Sequence, residues 1–245
     1  MKRTRRSSMV VMALAVVTHS ATAQHAHGGS GAAERAMSGA MDSIAMRHME
    51  LTPVRRATKA DSTKALGVVK ELREAIAKYH DTTAAVRDGY RMFAPQLRTQ
   101  KTYHFTKNSN AAKAAFRFRA AQPTSLLYEK DSTGRMRLVG AMYTMPKRAS
   151  HDRLDDRIPL SIARWHKHVN WCVPGKKNEA RWLETKNGKP VFGPESPIAT
   201  KAECDRVGGR FEESVFGWMV HANVFAGDDL ASIFGDHHAQ PPRRH

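Results

Sequence analysis

The chain lacks the short motifs that mark the common catalytic and nucleotide-binding sites. Its 245 residues contain no G-x-S-x-G, no G-x-G-x-x-G, no G-x-x-x-x-G-K-[ST], no H-E-x-x-H and no C-x-x-C. These absences argue against a serine-hydrolase elbow, against phosphate-cradling glycine loops, and against zincin and thioredoxin-like sites. The function therefore has to be inferred from how the chemically active side chains are distributed.

Cysteine is scarce, and Cys172 and Cys204 are the two in the whole chain. In an oxidising compartment an isolated pair is most simply a disulfide, and this is the pairing we predict. The alternative is that Cys172 serves as a thiolate ligand beside the histidines that precede it.

Long apolar runs are missing as well. Lys2, Arg3, Arg5 and Arg6 form a basic start, residues 9–17 are apolar, and Ala21-Thr22-Ala23 offers a small-x-small cleavage site. The apolar run is shorter than the roughly 20 residues that span a bilayer. We therefore predict a signal peptide over residues 1–23, cleaved near Ala23, and a periplasmic or secreted protein with no transmembrane segment after signal removal.

Acidic residues are few: 23 aspartates and glutamates stand against 40 lysines and arginines, and the formal net charge is +17. Loss of residues 1–23 would remove four positive charges and leave +13. A protein with this positive charge attracts polyanions at long range, and dissolved salt weakens that attraction. Anionic envelope polymers or lipids are therefore candidate partners besides a metal ion. Nucleic acid is the less favoured polyanion outside the cytoplasm. The alternative is that this diffuse charge mainly keeps the protein soluble.

Residues 24–59 contain no aromatic residue and are predicted to be a flexible segment that carries histidine and methionine. Met37, Met41, Ile44 and His48 fall at helical spacing, and thioether with imidazole suits copper. His25 and His27 are further nitrogen donors. The alternative is that the methionines form the apolar face of a short helix that docks on the domain.

The order of the periodic patterns indicates the fold class. Residues 61–94 carry the apolar stripe of an amphipathic helix or helical pair, capped by Asp61 or Ser62. Beyond Pro95 the period changes to two, which predicts strands over residues 102–106, 124–130, 135–145, 164–172 and 214–225. This order favours an α+β fold, with N-terminal amphipathic helices packed on a mostly antiparallel β-sheet or small barrel. We expect one domain over residues 60–236 and a tail over residues 237–245.

The stretch RWHKHVNWC (164–172) holds the densest set of potential metal ligands. On a strand its alternate residues would share one face, and these are His166, His168, Asn170 and Cys172. Trp165, Val169 and Trp171 would point to the opposite face.

A similar alternation recurs in MVHAN (219–223), where His221 and Asn223 share a face with Met219. If the two strands belong to one sheet, His166, His168 and His221 could converge, with His104 as a fourth ligand. Three or four imidazoles suit copper or zinc, and Asn170 and Asn223 are candidate supporting residues. The alternative is that these histidines are half-buried and bonded to backbone or to the asparagines.

These patterns favour an exported histidine-rich protein that binds a transition metal, copper or zinc, through a sheet-borne histidine cluster. A metal-dependent enzyme, an oxygenase or hydrolase, could use the same histidines with an open coordination position. Apolar walls such as Tyr143, Trp218 and Phe225 would favour that second hypothesis. A third is a non-catalytic basic protein associated with the envelope.

Four sequence blocks also carry a resemblance: YHFT (103–106), LVGAMYT (138–144), WHxHxNWC (165–172) and FGWMxH (216–221). They resemble a group of uncharacterised exported bacterial proteins. The resemblance implies export and a single domain over roughly residues 60–238. It implies no activity, cofactor or catalytic residue.

Overall fold

A computed structural model describes residues 46–95, 100–175, 178–225 and 227–235. These residues belong to one compact unit. The predicted signal peptide, most of the segment 24–59 and the tail 237–245 lie outside the described residues.

The described ranges contain six α-helices: α1 (Lys59–Ile76), α2 (Thr82–Arg87), α3 (Asn108–Ala114), α4 (His151–Asp155), α5 (Lys201–Arg206) and α6 (Leu230–Phe234). The cap of α1 lies earlier than the sequence predicted. The Thr58 hydroxyl accepts from the Asp61 N–H, and the Asp61 carboxylate accepts from the Thr58 N–H. This reciprocal pair is a capping box, and its hydrogen bonds lower the pKa of Asp61.

The buried face of α1 also differs from the apolar stripe that the sequence pattern predicts, which includes Leu66 and Val86. It consists of Ala65, Val68, Val69, Leu72 and Ile76, whereas Leu66 is 51% exposed and Val86 in α2 is 41% exposed. Between the two helices a 3₁₀ turn covers Ala77–His80, and Tyr79 leaves the helical backbone angles. The helical period therefore does not continue from α1 into α2.

The strands in the described ranges are β1 (Met49–Leu51), β2 (Arg91–Met92), β3 (Tyr103–Thr106), β4 (Ser125–Lys130), β5 (Met136–Met145), β6 (His166–Val173), β7 (Thr185–Lys186), β8 (Lys189–Pro190), β9 (Arg210–Ser214) and β10 (Trp218–Ala222). Eight of them form one sheet in the order β1-β6-β10-β5-β4-β3-β2, with β9 paired to β6. Its pairings are antiparallel. The predicted α+β class with a mostly antiparallel sheet is confirmed. Across the described strands the sheet is open, so it is not the small barrel that was the alternative.

The folded part of the chain begins earlier than the predicted boundary at residue 60. β1 pairs with the start of β6, where Met49 lies opposite His168 and Leu51 opposite His166. His48, just before β1, is 1% exposed, and its Nε2 lies 2.7 Å from the Ser196 carbonyl oxygen. The imidazole of His48 therefore fixes β1 to the domain instead of serving a flexible metal-binding segment.

One face of the sheet packs against the helices and forms the main core; we call it the helix face. Its cluster joins the apolar residues of α1 with side chains from the strands and from the residues just before β6: Tyr103, Phe105, Leu126, Tyr128, Leu138, Tyr143, Trp165, Trp218 and Val220. Trp165 is 0% exposed and Trp218 is 2% exposed. Each large apolar side chain buried in this way contributes about 1.5–3 kcal/mol to folding.

Cys172 at the end of β6 and Cys204 in α5 form a disulfide, with their Cα atoms 5.4 Å apart. The predicted pairing is confirmed, and Cys172 is not available as a thiolate ligand. A disulfide is compatible with a secreted protein, because such bonds persist in oxidising compartments. The bond lies in a second apolar cluster with Val191 and Phe192.

None of the helices in the described ranges is both long enough and apolar enough to cross a membrane.

Removing the disulfide should lower stability without changing the fold. Replacing Cys172 and Cys204 together by alanine should reduce the free energy of unfolding by about 3–4 kcal/mol, because the unfolded chain regains the freedom of a 32-residue loop. Urea unfolding of the variant against the wild type measures this difference. Equal unfolding midpoints for the two proteins would contradict it.

Candidate functional site

Four histidines from three strands lie together on the sheet face opposite the helices; we call them the histidine row and this side the histidine face. The ring centroids are 5.6 Å apart for His104 and His221, 5.2 Å for His221 and His166, and 5.5 Å for His166 and His168. These are the four residues that the sequence singled out as candidate ligands. The structure brings them together as a chain of neighbouring pairs.

The register of the sheet explains why three of them share a face. Met219 of β10 lies directly opposite His166 of β6, and directly opposite residues point to the same side of a sheet. His221 follows Met219 by two positions, and His168 follows His166 by two, so the alternation of each strand keeps them on that side.

His104 joins the row because the sheet is curved. β3 and β10 are separated by β4 and β5, which would place them about 14 Å apart in a flat sheet. The His104 and His221 rings are nevertheless 5.6 Å apart, so the sheet bends toward the histidine face and makes it concave.

A β-bulge contributes to this bend. The register between β4 and β5 changes after Leu127, which pairs with Gly140, while Tyr128 pairs with Leu138. Val139 is the extra residue, and an extra residue bends the strand that carries it. Its side chain turns to the histidine face, where it packs with Leu127 and Met142.

Apolar and hydroxyl side chains share the histidine face with the row, since Thr144 lies opposite Met219 and Ser125 opposite Met142. Leu127, Val139, Met142 and Met219 form a buried cluster there, against which Phe216 packs. His166 is itself 4% exposed. A polar row in such surroundings has a lower local dielectric than one on an open surface, which strengthens its interaction with a charged ligand.

Asn170 has a role that the alternating pattern did not predict. Its φ is 58°, in the left-handed region that asparagine tolerates better than most residues. This turn of the backbone ends the alternation, so the Trp171 ring lies 5.1 Å from that of His168. The sequence predicted Trp171 on the opposite face, which is wrong for this reason. The Asn170 amide donates to the Arg47 carbonyl oxygen and so links β6 to the chain before β1.

Aromatic side chains close one end of the row. Phe216 lies 6.1 Å from His168 and 5.8 Å from Trp171 between ring centroids. The Trp171 indole nitrogen is buried and has no hydrogen-bond partner among the described residues. Phe216 could be recognised from the sequence as the start of the block FGWMxH, but its place beside His168 depends on the register.

Lys167 stands between His166 and His168 in sequence and points to the helix face. Its ammonium lies 4.4 Å from the centroid of the Trp218 ring and 2.9 Å from a Glu50 carboxylate oxygen. On β6 the two imidazoles therefore lie on the histidine face, while the Lys167 ammonium lies on the helix face and is paired with the Glu50 carboxylate.

Other sequence-predicted residues lie elsewhere. Asn223 follows the end of β10, and its backbone N–H donates to the Ile233 carbonyl oxygen. Tyr143 and Trp218 belong to the helix-face core and Phe225 packs against it, so they do not form the apolar walls that would have favoured the enzyme hypothesis. Met37, Met41, His25 and His27 are outside the described residues.

Sequence reasoning placed Met219 on the face of His221 but did not place Met142 or Met49 there, and all three methionines face the row. Met219 lies opposite His166, Met142 opposite His221 and Met49 opposite His168. Their sulfurs belong to the same sheet face as the imidazoles. The positions of Met142 and Met49 opposite histidines follow from the pairing register, which cannot be read from a single sequence.

The pair separations match those of imidazoles that share a metal ion. Two rings bound through nitrogens about 2.0–2.1 Å from one ion at a tetrahedral angle have centroids about 5 Å apart. Within the described ranges, however, no group of three or more histidine, cysteine or acidic side chains is arranged to hold a metal ion. The row therefore offers pairs of imidazoles. No protein-family model, curated protein or solved structure matches the chain.

Changing Asn170 tests the turn that places Trp171 beside His168. Asn170→Ala should reduce the free energy of unfolding by about 1–2 kcal/mol, because alanine is strained in the left-handed region. Asn170→Gly should reduce it less, since glycine adopts positive φ freely. Urea unfolding followed by tryptophan fluorescence measures both. Equal losses in the two variants would show that the amide hydrogen bond to Arg47 matters and the backbone conformation does not.

Proposed function

We propose that this protein binds a transition-metal ion, copper or zinc, on the concave histidine face. The observation that supports the proposal is the contact of four imidazoles from β3, β6 and β10 at centroid separations of 5.2–5.6 Å. Imidazole is a preferred ligand of zinc and copper. Binding one ion between two neighbouring rings requires side-chain adjustment and no change of the sheet.

Rigidity of the scaffold favours this site over the histidines near the N-terminus. His166, His168 and His221 are held by paired strands, so few degrees of freedom remain to be lost when an ion binds. A segment without such support loses about 1–2 kcal/mol of backbone entropy for each residue that it orders. The histidines of the sheet should therefore bind a metal ion more tightly than the histidines near the N-terminus.

The surroundings of the row also support binding. Phe216 lies against His168 and packs on the apolar cluster that contains Leu127 and Val139, and an apolar shell of this kind controls the properties of a bound metal. In this proposal the protein acts outside the cytoplasm, with residues 1–23 as its export signal. The disulfide between Cys172 and Cys204 supports that setting.

Elemental analysis of the purified protein tests the proposal. The wild type should bind about one equivalent of copper or zinc, as expected for one site, and the His166→Ala/His168→Ala variant should not. Binding should raise the thermal midpoint of the wild type alone, because a ligand that binds only the folded state stabilises it. Affinity should fall as the pH is lowered, because protons compete with the metal for the imidazole nitrogens.

His151→Ala is the matched control. His151 is an exposed histidine on α4 whose ring contacts Trp218, so its loss removes an imidazole without touching the row. It should bind as much metal as the wild type. A wild type that takes up neither copper nor zinc at neutral pH, with an unchanged thermal midpoint, would contradict the proposed function.

A further inference from the structure

Each of three histidines in the row has a methionine as its direct cross-strand partner. The pairs are His166 with Met219, His221 with Met142, and His168 with Met49. Directly opposite residues have Cβ atoms about 4.5–5.5 Å apart and share a face of the sheet. Met142 and Met219 are buried, at 7% and 6% exposure, beside His221 and His166, whose rings are in contact.

The methionines supply what the imidazoles lack. No three histidine, cysteine or acidic side chains in the described part of the chain are arranged around one point, whereas a structural zinc site takes about four nitrogen, sulfur or carboxylate ligands. The His166–His221 pair has two thioethers next to it on the same face. A pair of imidazoles with thioethers is therefore the ligand set that the register provides.

Thioether sulfur is a soft ligand that selects Cu(I), while imidazole accepts copper in either oxidation state. Zn²⁺ gains little from a thioether. The burial of both sulfurs also favours a singly charged ion over a divalent one, because moving charge away from water becomes more costly as the charge rises.

We infer that the histidine face is a Cu(I) site, in which His166 and His221 supply nitrogen and Met142 and Met219 supply sulfur. This inference rests on the proposed metal-binding function and specifies its metal. The alternative is that the two methionines only fill an apolar cluster. That role requires hydrophobic volume but no sulfur, so the two roles can be distinguished.

Competition for Cu(I) with a chromogenic Cu(I) chelator tests the inference. The experiment is done without oxygen, with ascorbate as reductant, because a thiol reductant would open the Cys172–Cys204 bond and create thiolate ligands. Met142→Leu/Met219→Leu should weaken Cu(I) binding at least tenfold and change Zn²⁺ binding less than twofold. Leucine conserves the volume of methionine and is tolerated in cores, so the variant should keep its fold.

Met145→Leu is the matched control, because Met145 lies on the same strand as Met142 but is buried in the helix-face core. Its Cu(I) affinity should equal that of the wild type. Met37→Leu/Met41→Leu controls for the methionines near the N-terminus and should also bind like the wild type. A tenfold loss in either control would overturn the assignment of the site.

X-ray absorption of the Cu(I) protein gives a readout that does not depend on affinity. The wild type should show sulfur bound to copper, and protein made with selenomethionine should show selenium in its place. Met142→Leu/Met219→Leu should lose this signal and keep the nitrogen signal. Copper bound by nitrogen alone in the wild type would overturn the Cu(I) inference.

Metal binding by the histidines and Cu(I) binding through the thioethers can be tested separately. If Zn²⁺ binds and is lost on His166→Ala/His221→Ala, while Met→Leu changes leave Cu(I) affinity unaltered, the metal-binding function stands and the thioether site does not. If neither ion binds the wild type, both are wrong.

Discussion

The pairing of β6 with β10 is the constraint on which the histidine face depends. Met219 opposite His166 fixes the register of the two strands. Because side chains alternate, a slip of one residue would turn every side chain of a strand to the other face. Such a slip would expose Trp165 or Trp218, which are 0% and 2% exposed in the helix-face core. The tryptophans that stabilise the core therefore also determine that His166, which follows Trp165, and His221, which follows Trp218 by three positions, point away from it.

Alternation along a strand could be predicted from the sequence, and relations between strands could not. The period of two in β6 and β10 predicts that His166, His168 and His221 point away from the apolar core. The disulfide followed from the presence of two cysteines in the chain. By contrast, the inclusion of β1 and the opposition of methionine to histidine are set by register between residues far apart in the chain.

Two local features limited the prediction as well. Asn170 adopts a left-handed conformation that ends the alternation, and asparagine occurs in strands, turns and caps, so the residue type alone did not indicate this. The bulge at Val139 interrupts a run that is apolar on both faces, where an extra residue leaves no visible break in the pattern. Without the curvature to which that bulge contributes, His104 would lie too far from β10 to join the row. Tyr143 was wrongly expected beside the histidines because β5 is apolar on both faces, so its sequence does not reveal which face meets the helices.

The position of Lys167 has an electrostatic consequence for the whole strand. The chain carries a formal charge of +17, and the Lys167 ammonium adds a positive charge to β6 on the helix face. The Glu50 carboxylate on β1 lies 2.9 Å from that ammonium. While β1 is paired with β6, this carboxylate neutralises the charge of Lys167. Glu50 and Met49 are neighbours on β1, one on each side of the sheet. Detachment of this three-residue strand would therefore remove a thioether from beside His168 on one face and leave the Lys167 ammonium without its carboxylate partner on the other.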